Sequence, residues 1–335
     1  MHHAIVMHTT GGPDVLQWEP YEPGEPGPDE VRLKHEALGL NFIDVYHRTG
    51  LYPIGGLPAI PGMEGAGRVA SVGDAVSEFQ PGDRVAYAGL PPGAYAEVRC
   101  IPAHRLVKLP DNIDCRTAAA MMLKGMTARY LLHGCYPVQA GDTILIHAAA
   151  GGVGLLVCQW ARHKGARVIG TVGSAAKADL ARANGCDHPV RYQEENFVER
   201  VQAITAGRGV DVVYDSVGQA TFMRSLDCLR PMGMLVSFGQ SSGPVDPIDP
   251  GLLAAKGSLF LTRPSLMTYT AAREDLLAHA ADLFEVVQQG AVQVDIRQTY
   301  PLRAAAQAHR DLEASQPQAA PTLPWAKPIN TISPD

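Results

Sequence analysis

The sequence predicts an α/β protein in two parts, a small barrel of short strands and a doubly wound parallel sheet. Three observations carry that prediction. Residues 1–110 are broken by Gly and Pro into short alternating segments, and from residue 143 strands and helices alternate. Between the first strand and the first helix of that second region lies a glycine-rich turn, "HAAAGGVG" (147–154).

In "VRLKHEALGL" (31–40), Val31, Leu33, His35 and Ala37 alternate with Arg32, Lys34 and Glu36, the period of a strand with one face inward. "GRVASVG" (67–73), "GDRVAYAG" (82–89) and "AYAEVRCIPAHRLVKLP" (94–110) continue the pattern. "CRTAAAMMLKGMTARYLLH" (115–133) has the composition of a helix. "TILIHA" (143–148) then reads as a strand. A helix from about Gly152 puts Val153, Leu156, Val157, Trp160 and Ala161 on one face. Arg162, His163 and Lys164 suit the negative end of its dipole, and Gly165 can take the left-handed cap. "ARVIGTV" (166–172), "DVVYDSVG" (211–218) and "GMLVSFG" (233–239) are further strands, with "AAKADLARAN" (175–184) a helix. After "GSLFLTRPSL" (257–266) come a helix over 273–289, the segment "QTYPL" (298–302) and a helix in "AAAQAHRDLEA" (304–314). The last stretch, 315–335, carries five prolines and reads as an extended tail.

A chain of 335 residues, 46% hydrophobic and 19% charged, can bury more than one core. Its formal charge of −6 weighs against nucleic acid or an anionic membrane as partner. The N-terminus lacks a basic stretch followed by an apolar one, and no apolar run approaches the roughly 20 residues of a membrane span. Six dispersed cysteines without a C-x-x-C pair read as reduced thiols, which places the chain in the cytoplasm.

Against the fingerprint G-x-G-x-x-G, Ala149 stands at the first glycine, with Gly151 and Gly154 at the others. Such turns also arise for steric reasons alone, but the setting between strand and amphipathic helix favours a dinucleotide site. An NAD site expects an acid about 20 residues on, at the ribose. Here "TVGSAAK" (171–177) offers Thr171, Ser174 and Lys177 and no acid. A hydroxyl and a lysine suit a 2′-phosphate. Equally, Ser174 can cap the next helix and Lys177 can lie on its solvated face; both can hold at once. NADPH is expected over NADH.

With these motifs, and with "ALGLNFIDVYHRTGLYP" (37–53), "PGMEGAGRV" (61–69) and "VYDSVG" (213–218), the chain resembles the medium-chain dehydrogenase/reductases, and among them the zinc-free quinone oxidoreductases. The resemblance implies a GroES-like barrel as catalytic domain over 1–122, a Rossmann NADPH-binding domain over 123–262, and a return to the catalytic domain over 263–335 with the Pro-rich tail. It further implies a cleft between the domains and a homodimer. Zinc enzymes of this superfamily place Cys where Asn41 stands, His where Met63 stands, and a further Cys or acid in the region of "MMLKGMT" (121–127), which has neither. An amide and a thioether make a poor zinc site, so no metal is expected.

Without a metal, charge developing on an acceptor oxygen needs oriented donors. The resemblance points to Asn41, Tyr46, Tyr52 and Arg263 for this, with Asp44 as a structural acceptor. It assigns Lys124 and Thr127 to the nicotinamide end, and Gly151, Gly152, Val153 and Gly154 to the pyrophosphate. Ser174, Lys177 and Tyr192 fall to the adenosine phosphate, and Phe238, Gly239 and Ser241 to the nicotinamide ribose. The family's C-terminal "L-E-S-R" and final strand are replaced by "LEASQPQAAPTLPW" (312–325), with Ser315 or Gln316 near the arginine's place and prolines along the strand. Expected function is NADPH-dependent reduction of quinones. The alternatives are NADPH-dependent reduction of enone or alkenal C=C bonds, and a cofactor-loaded binding or structural protein of the crystallin kind.

Overall fold

The computed structural model describes residues 1–296, 298–314 and 330–333. The chain opens with an antiparallel ribbon, β1 (His2–Val6) and β2 (Gln17–Tyr21). It then builds β3 (Glu30–Gly39), helix α1 (Phe42–Thr49), β4 (Glu64–Val72), β5 (Arg84–Ala88), β6 (Val98–Pro102) and β7 (Val107–Lys108). The inward set of β3 is the one the alternation gives: Val31, Leu33, His35 and Ala37 are all buried.

Helix α2 (Cys115–Arg129) leads out of this part, capped by Asp114, whose side chain accepts from Thr117 N at 2.7 Å. Small residues let it be enclosed: Ala118, Ala119 and Ala120 are buried, and a methyl on Gly125 would overlap Leu283. The expected domain junction at 122/123 lies inside this helix. After a π-helical turn, Tyr130–Cys135, come β8 (Thr143–Ile146), α3 (Gly152–His163), β9 (Arg167–Val172), α4 (Ala175–Ala183), β10 (His188–Arg191) and α5 (Phe197–Ile204). β11 (Val210–Asp215), α6 (Phe222–Leu226), β12 (Leu229–Ser237), α7 (Gly251–Ala255) and β13 (Phe260–Thr262) complete a six-stranded sheet. Its order is β10-β9-β8-β11-β12-β13, with every pairing parallel. All residues of β8 and β11 are buried, as expected of central strands covered on both faces. The order reverses at β8, which lies between β9 and β11, and the crevice beyond their carboxyl ends is where a doubly wound sheet binds ligands.

The short helix α8 (Leu266–Tyr269) and the long α9 (Arg273–Gln288) bring the chain back to β14 (Gln298–Pro301), α10 (Ala305–Ala314) and β15 (Asn330–Ser333). Here the structure departs from the sequence reading. A final strand was in doubt because prolines occupy its place, yet β15 forms beyond most of them. It pairs parallel with β14 and antiparallel with β3, and closes the order β14-β15-β3-β4-β5-β7, with Ile332 fully buried. Ser315 and Gln316, near the family arginine's place, lie outside the described residues.

Candidate active site

A cleft of about 720 Å³ runs from α1, across the start of α3, to the ends of β9 and β10. Of the residues assigned to catalysis or to the cofactor, all but Ser174 line it.

At one end Asn41 opens α1. Its backbone N–H donates to Asp44 Oδ2 at 2.9 Å, and its side-chain Nδ2 donates to Glu64 Oε2 at 2.8 Å. Tyr95 also donates to Asp44 Oδ2, at 3.2 Å, so Asp44 sits wholly buried as an acceptor; burial pushes its carboxyl up to about 7. One turn along α1, Tyr46 packs its ring 4.9 Å from that of Tyr52. Each phenol oxygen accepts from the far side of the cleft. Tyr46 receives the Gln240 backbone N–H at 3.2 Å, and Tyr52 receives the Arg263 guanidinium at 2.8 Å. Arg263 is itself held by Ser237 O at 2.9 Å. Burial raises the Tyr46 phenol to about 12, so it stays protonated. With their oxygens engaged as acceptors, both hydroxyls keep a proton to donate.

In the middle, α3 begins at Gly152, and the first-turn amides of Gly152, Val153 and Gly154 lack intrahelical acceptors. The glycines have different reasons. A methyl on Gly154 would overlap Ala148 O, so this residue lets helix and strand pack closely. A methyl on Gly151 would lie 3.1 Å from Ala148 O and otherwise meet little, so its absence leaves the cradle open to a ligand. Ala149, at the fingerprint's first glycine, is fully buried, and its methyl is accommodated by Gly170 on β9, where a Cβ would lie 2.5 Å from it. The sharp turn itself is made by Ala148 at φ 54°.

At the far end lie Gly173, Lys177 and Tyr192. A methyl on Gly173 would stand 2.9 Å from the Tyr192 hydroxyl, so this glycine lets the tyrosine reach the cleft. Burial lowers the Lys177 ammonium below the ordinary lysine range. Ser174 is exposed, and its Oγ accepts from Lys177 N at 3.3 Å as the cap of α4, which leaves its O–H free to donate. Phe238, Gly239 and Ser241 follow β12. A methyl on Gly239 would lie 2.6 Å from Ser216 O, so glycine lets this loop rest on the one after β11.

Sequence reasoning passed over Glu64, His147, Thr221 and Arg224. Glu64 is fully buried, its Oε1 accepting from Leu123 N at 2.7 Å and its Oε2 from Lys124 Nζ at 3.2 Å. An acid in the apolar run that follows "PGM" was the signal available. His147 bridges Thr171 and Ser225, 2.9 Å from each. Arg224 stacks 4.2 Å above the Phe197 ring, on a helix of five residues too short to show a period. The cleft wall thus carries Lys124, Lys177, Arg224 and Arg263, and no Asp or Glu among the described residues. Nor do the described residues hold three His, Cys, Asp or Glu side chains grouped for a metal ion. A basic, carboxylate-free cleft with an open helix N-terminus fits a dinucleotide that carries an extra phosphate.

Comparison with known proteins agrees. Residues 27–111 match the alcohol dehydrogenase GroES-like domain, and 152–283 match the family described as zinc-binding dehydrogenase. The chain is 50% identical to a quinone oxidoreductase of Pseudomonas aeruginosa over 93% of this chain and 96% of that protein. It is 46% identical to a 2-haloacrylate reductase of Burkholderia, again covering 93% and 96%. The structure of Escherichia coli quinone oxidoreductase complexed with NADPH superposes with a TM-score of 0.94 at 44% identity, covering 99% of this chain and all of the other.

Proposed function

The chain belongs to the medium-chain dehydrogenase/reductase superfamily, in its quinone oxidoreductase branch, and from that membership we propose that it reduces quinones with NADPH. The observation that carries the reading is the lining of the cleft: four cations, no carboxylate, and two tyrosines with protons to give. Bound NADPH supplies the hydride.

In this reading the amides of Gly152, Val153 and Gly154 hold the pyrophosphate, with Gly151 leaving the approach open. Ser174, Lys177 and Tyr192 take the 2′-phosphate, with Ser174 also capping α4. Phe238, Gly239 and Ser241 edge the nicotinamide ribose, with Lys124 and Thr127 near the nicotinamide end. Tyr46 and Tyr52 form an aromatic slot for a flat acceptor and donate to its oxygen, with Arg263 polarising Tyr52. Asn41 is committed to Glu64 and Asp44 and shapes the inner wall.

Reduction of an activated C=C bond is the second reading, supported by the 46% identity to a 2-haloacrylate reductase. The same donors would serve the charge that develops there. NADPH oxidation on adding 1,4-benzoquinone or 2-chloroacrylate tests both, and its absence with each would leave a cofactor-loaded binding protein.

The exposed edge strand β13 supports a homodimer. This strand is the edge of the parallel sheet, and its Phe260 and Leu261 are 56% and 38% exposed. Pairing with a second copy would cover both the side chains and the open backbone groups. A cytoplasmic location fits the six unpaired cysteines. No helix among the described residues is long and apolar enough to cross a membrane.

A further inference from the structure

We propose that the Lys124 ammonium is the acid that protonates the reduced acceptor, held in place by Glu64; the proposal rests on the reductase reading above. Lys124 projects from α2 into the cleft wall and is only 6% exposed. Its stem lies against the first residue of α3, where a Cβ on Gly152 would come within 2.9 Å of Lys124 Cδ. The ammonium therefore sits between the glycine turn and the Asn41 end of the cleft, where hydride donor and acceptor must meet.

The hydrogen bonds are unequally shared. Glu64 accepts three hydrogen bonds: Oε1 takes the Leu123 N–H, and Oε2 takes Asn41 Nδ2 and Lys124 Nζ. The fold makes room for this carboxylate, since a methyl on Gly39 would overlap it. Lys124 has three N–H groups, and among the described residues it makes one hydrogen bond, to Glu64. A nearly buried ammonium with two unmatched protons is costly unless a partner arrives from the cleft. Such an acceptor would be an oxygen gaining negative charge.

In the step that follows, the acceptor gains a hydride from bound NADPH, and the electron pair leaves negative charge on its oxygen. An Nζ–H bond of Lys124 breaks, an O–H bond forms, and hydride plus proton convert a quinone to a hydroquinone. Lys124 remains as a neutral amine hydrogen-bonded to Glu64 and regains a proton from solvent in the open cleft. The two carbonyl oxygens of a quinone then meet different donors, the tyrosines at the outer end and Lys124 at the inner.

The test compares the unmodified enzyme with Lys124→Met and with the double variant Lys124→Met/Glu64→Gln, whose pair is neutral. Binding of NADPH is read from its fluorescence without acceptor, and turnover is read with 1,4-benzoquinone. Expected in both variants is a fall in kcat of about 100-fold or more, well beyond any loss of NADPH affinity. The unmodified enzyme should show a solvent deuterium isotope effect on kcat/KM for the quinone that Lys124→Met loses. NADPH affinity falling in step with turnover would make Lys124 a cofactor ligand and overturn the proposal. Recovery of turnover in the double variant would reduce its role to neutralising Glu64. If neither variant folds, the unmodified enzyme decides: no solvent isotope effect contradicts the proposal. Failure of the unmodified protein to oxidise NADPH with any acceptor would instead contradict the reductase reading.

Discussion

The Tyr52 hydroxyl accepts a hydrogen bond from the Arg263 guanidinium at 2.8 Å, joining the loop after α1 to the segment after β13 across the cleft. A phenol whose oxygen accepts from a cation is polarised into a stronger hydrogen-bond donor. Tyr52→Phe is therefore expected to lower kcat by about 10-fold or more while moving KM little, because the lost donor acts on charge that develops during transfer. Tyr52→Ala should also raise KM, since the ring that packs on Tyr46 is gone. Steady-state kinetics with a quinone checks both; a silent Phe variant would reduce Tyr52 to a wall.

Lys177 and Ser174 are predicted to separate. Lys177→Ala should weaken NADPH by about 1.5–3 kcal/mol and leave NADH nearly unchanged, as for loss of one charge-assisted hydrogen bond to phosphate. Ser174→Ala should cost about 1 kcal/mol of stability through the lost cap of α4, with a smaller effect on cofactor binding. Calorimetric titration with both cofactors and a denaturation curve distinguish these outcomes. Equal losses of NADPH and NADH in Lys177→Ala would show that it does not read the phosphate.

What could be read from the sequence follows how local the physics is. The strand, glycine turn and amphipathic helix over 143–165 are fixed by neighbours in the chain, and each forms where its pattern places it. Glu64, Lys124 and Asn41 lie on three separate elements, and only the fold shows that they share hydrogen bonds. The last strand was hidden because the prolines of 317–328 forbid ladder bonds locally, while four residues beyond them suffice for β15. Ser174 was legible as a cap, and the backbone N–H of Lys177 makes that bond.

Asp44 supplies a pH signature. Burial raises its carboxyl from 3.8 to about 7, so the folded chain keeps a proton that the unfolded chain releases. The stabilisation is fully present below about pH 4 and is lost as pH rises through about 7. Asp44→Asn retains an acceptor for Asn41 and Tyr95 but cannot ionise. Relative to the unmodified protein, it is expected to be more stable at pH 8 than at pH 4, measured by urea unfolding at both. Burial lowers His35 and His309 to about 3, an effect of opposite sign that both proteins share and that cancels in the comparison.

The amide of Asn41 and the thioether of Met63 stand at two places where zinc enzymes of the superfamily carry ligands. Activity is accordingly expected to survive exhaustive chelation, and elemental analysis is expected to find far less than one zinc per chain. Stoichiometric zinc together with activity lost on chelation would contradict this.

The central claim is that the cleft transfers hydride from NADPH to quinones. Its most direct test is kcat/KM for 1,4-benzoquinone against 2-chloroacrylate at saturating NADPH, repeated with NADH. The account predicts that the quinone is preferred by about 10-fold or more, with NADPH well ahead of NADH. Turnover of 2-chloroacrylate with no oxidation of NADPH by the quinone would contradict it.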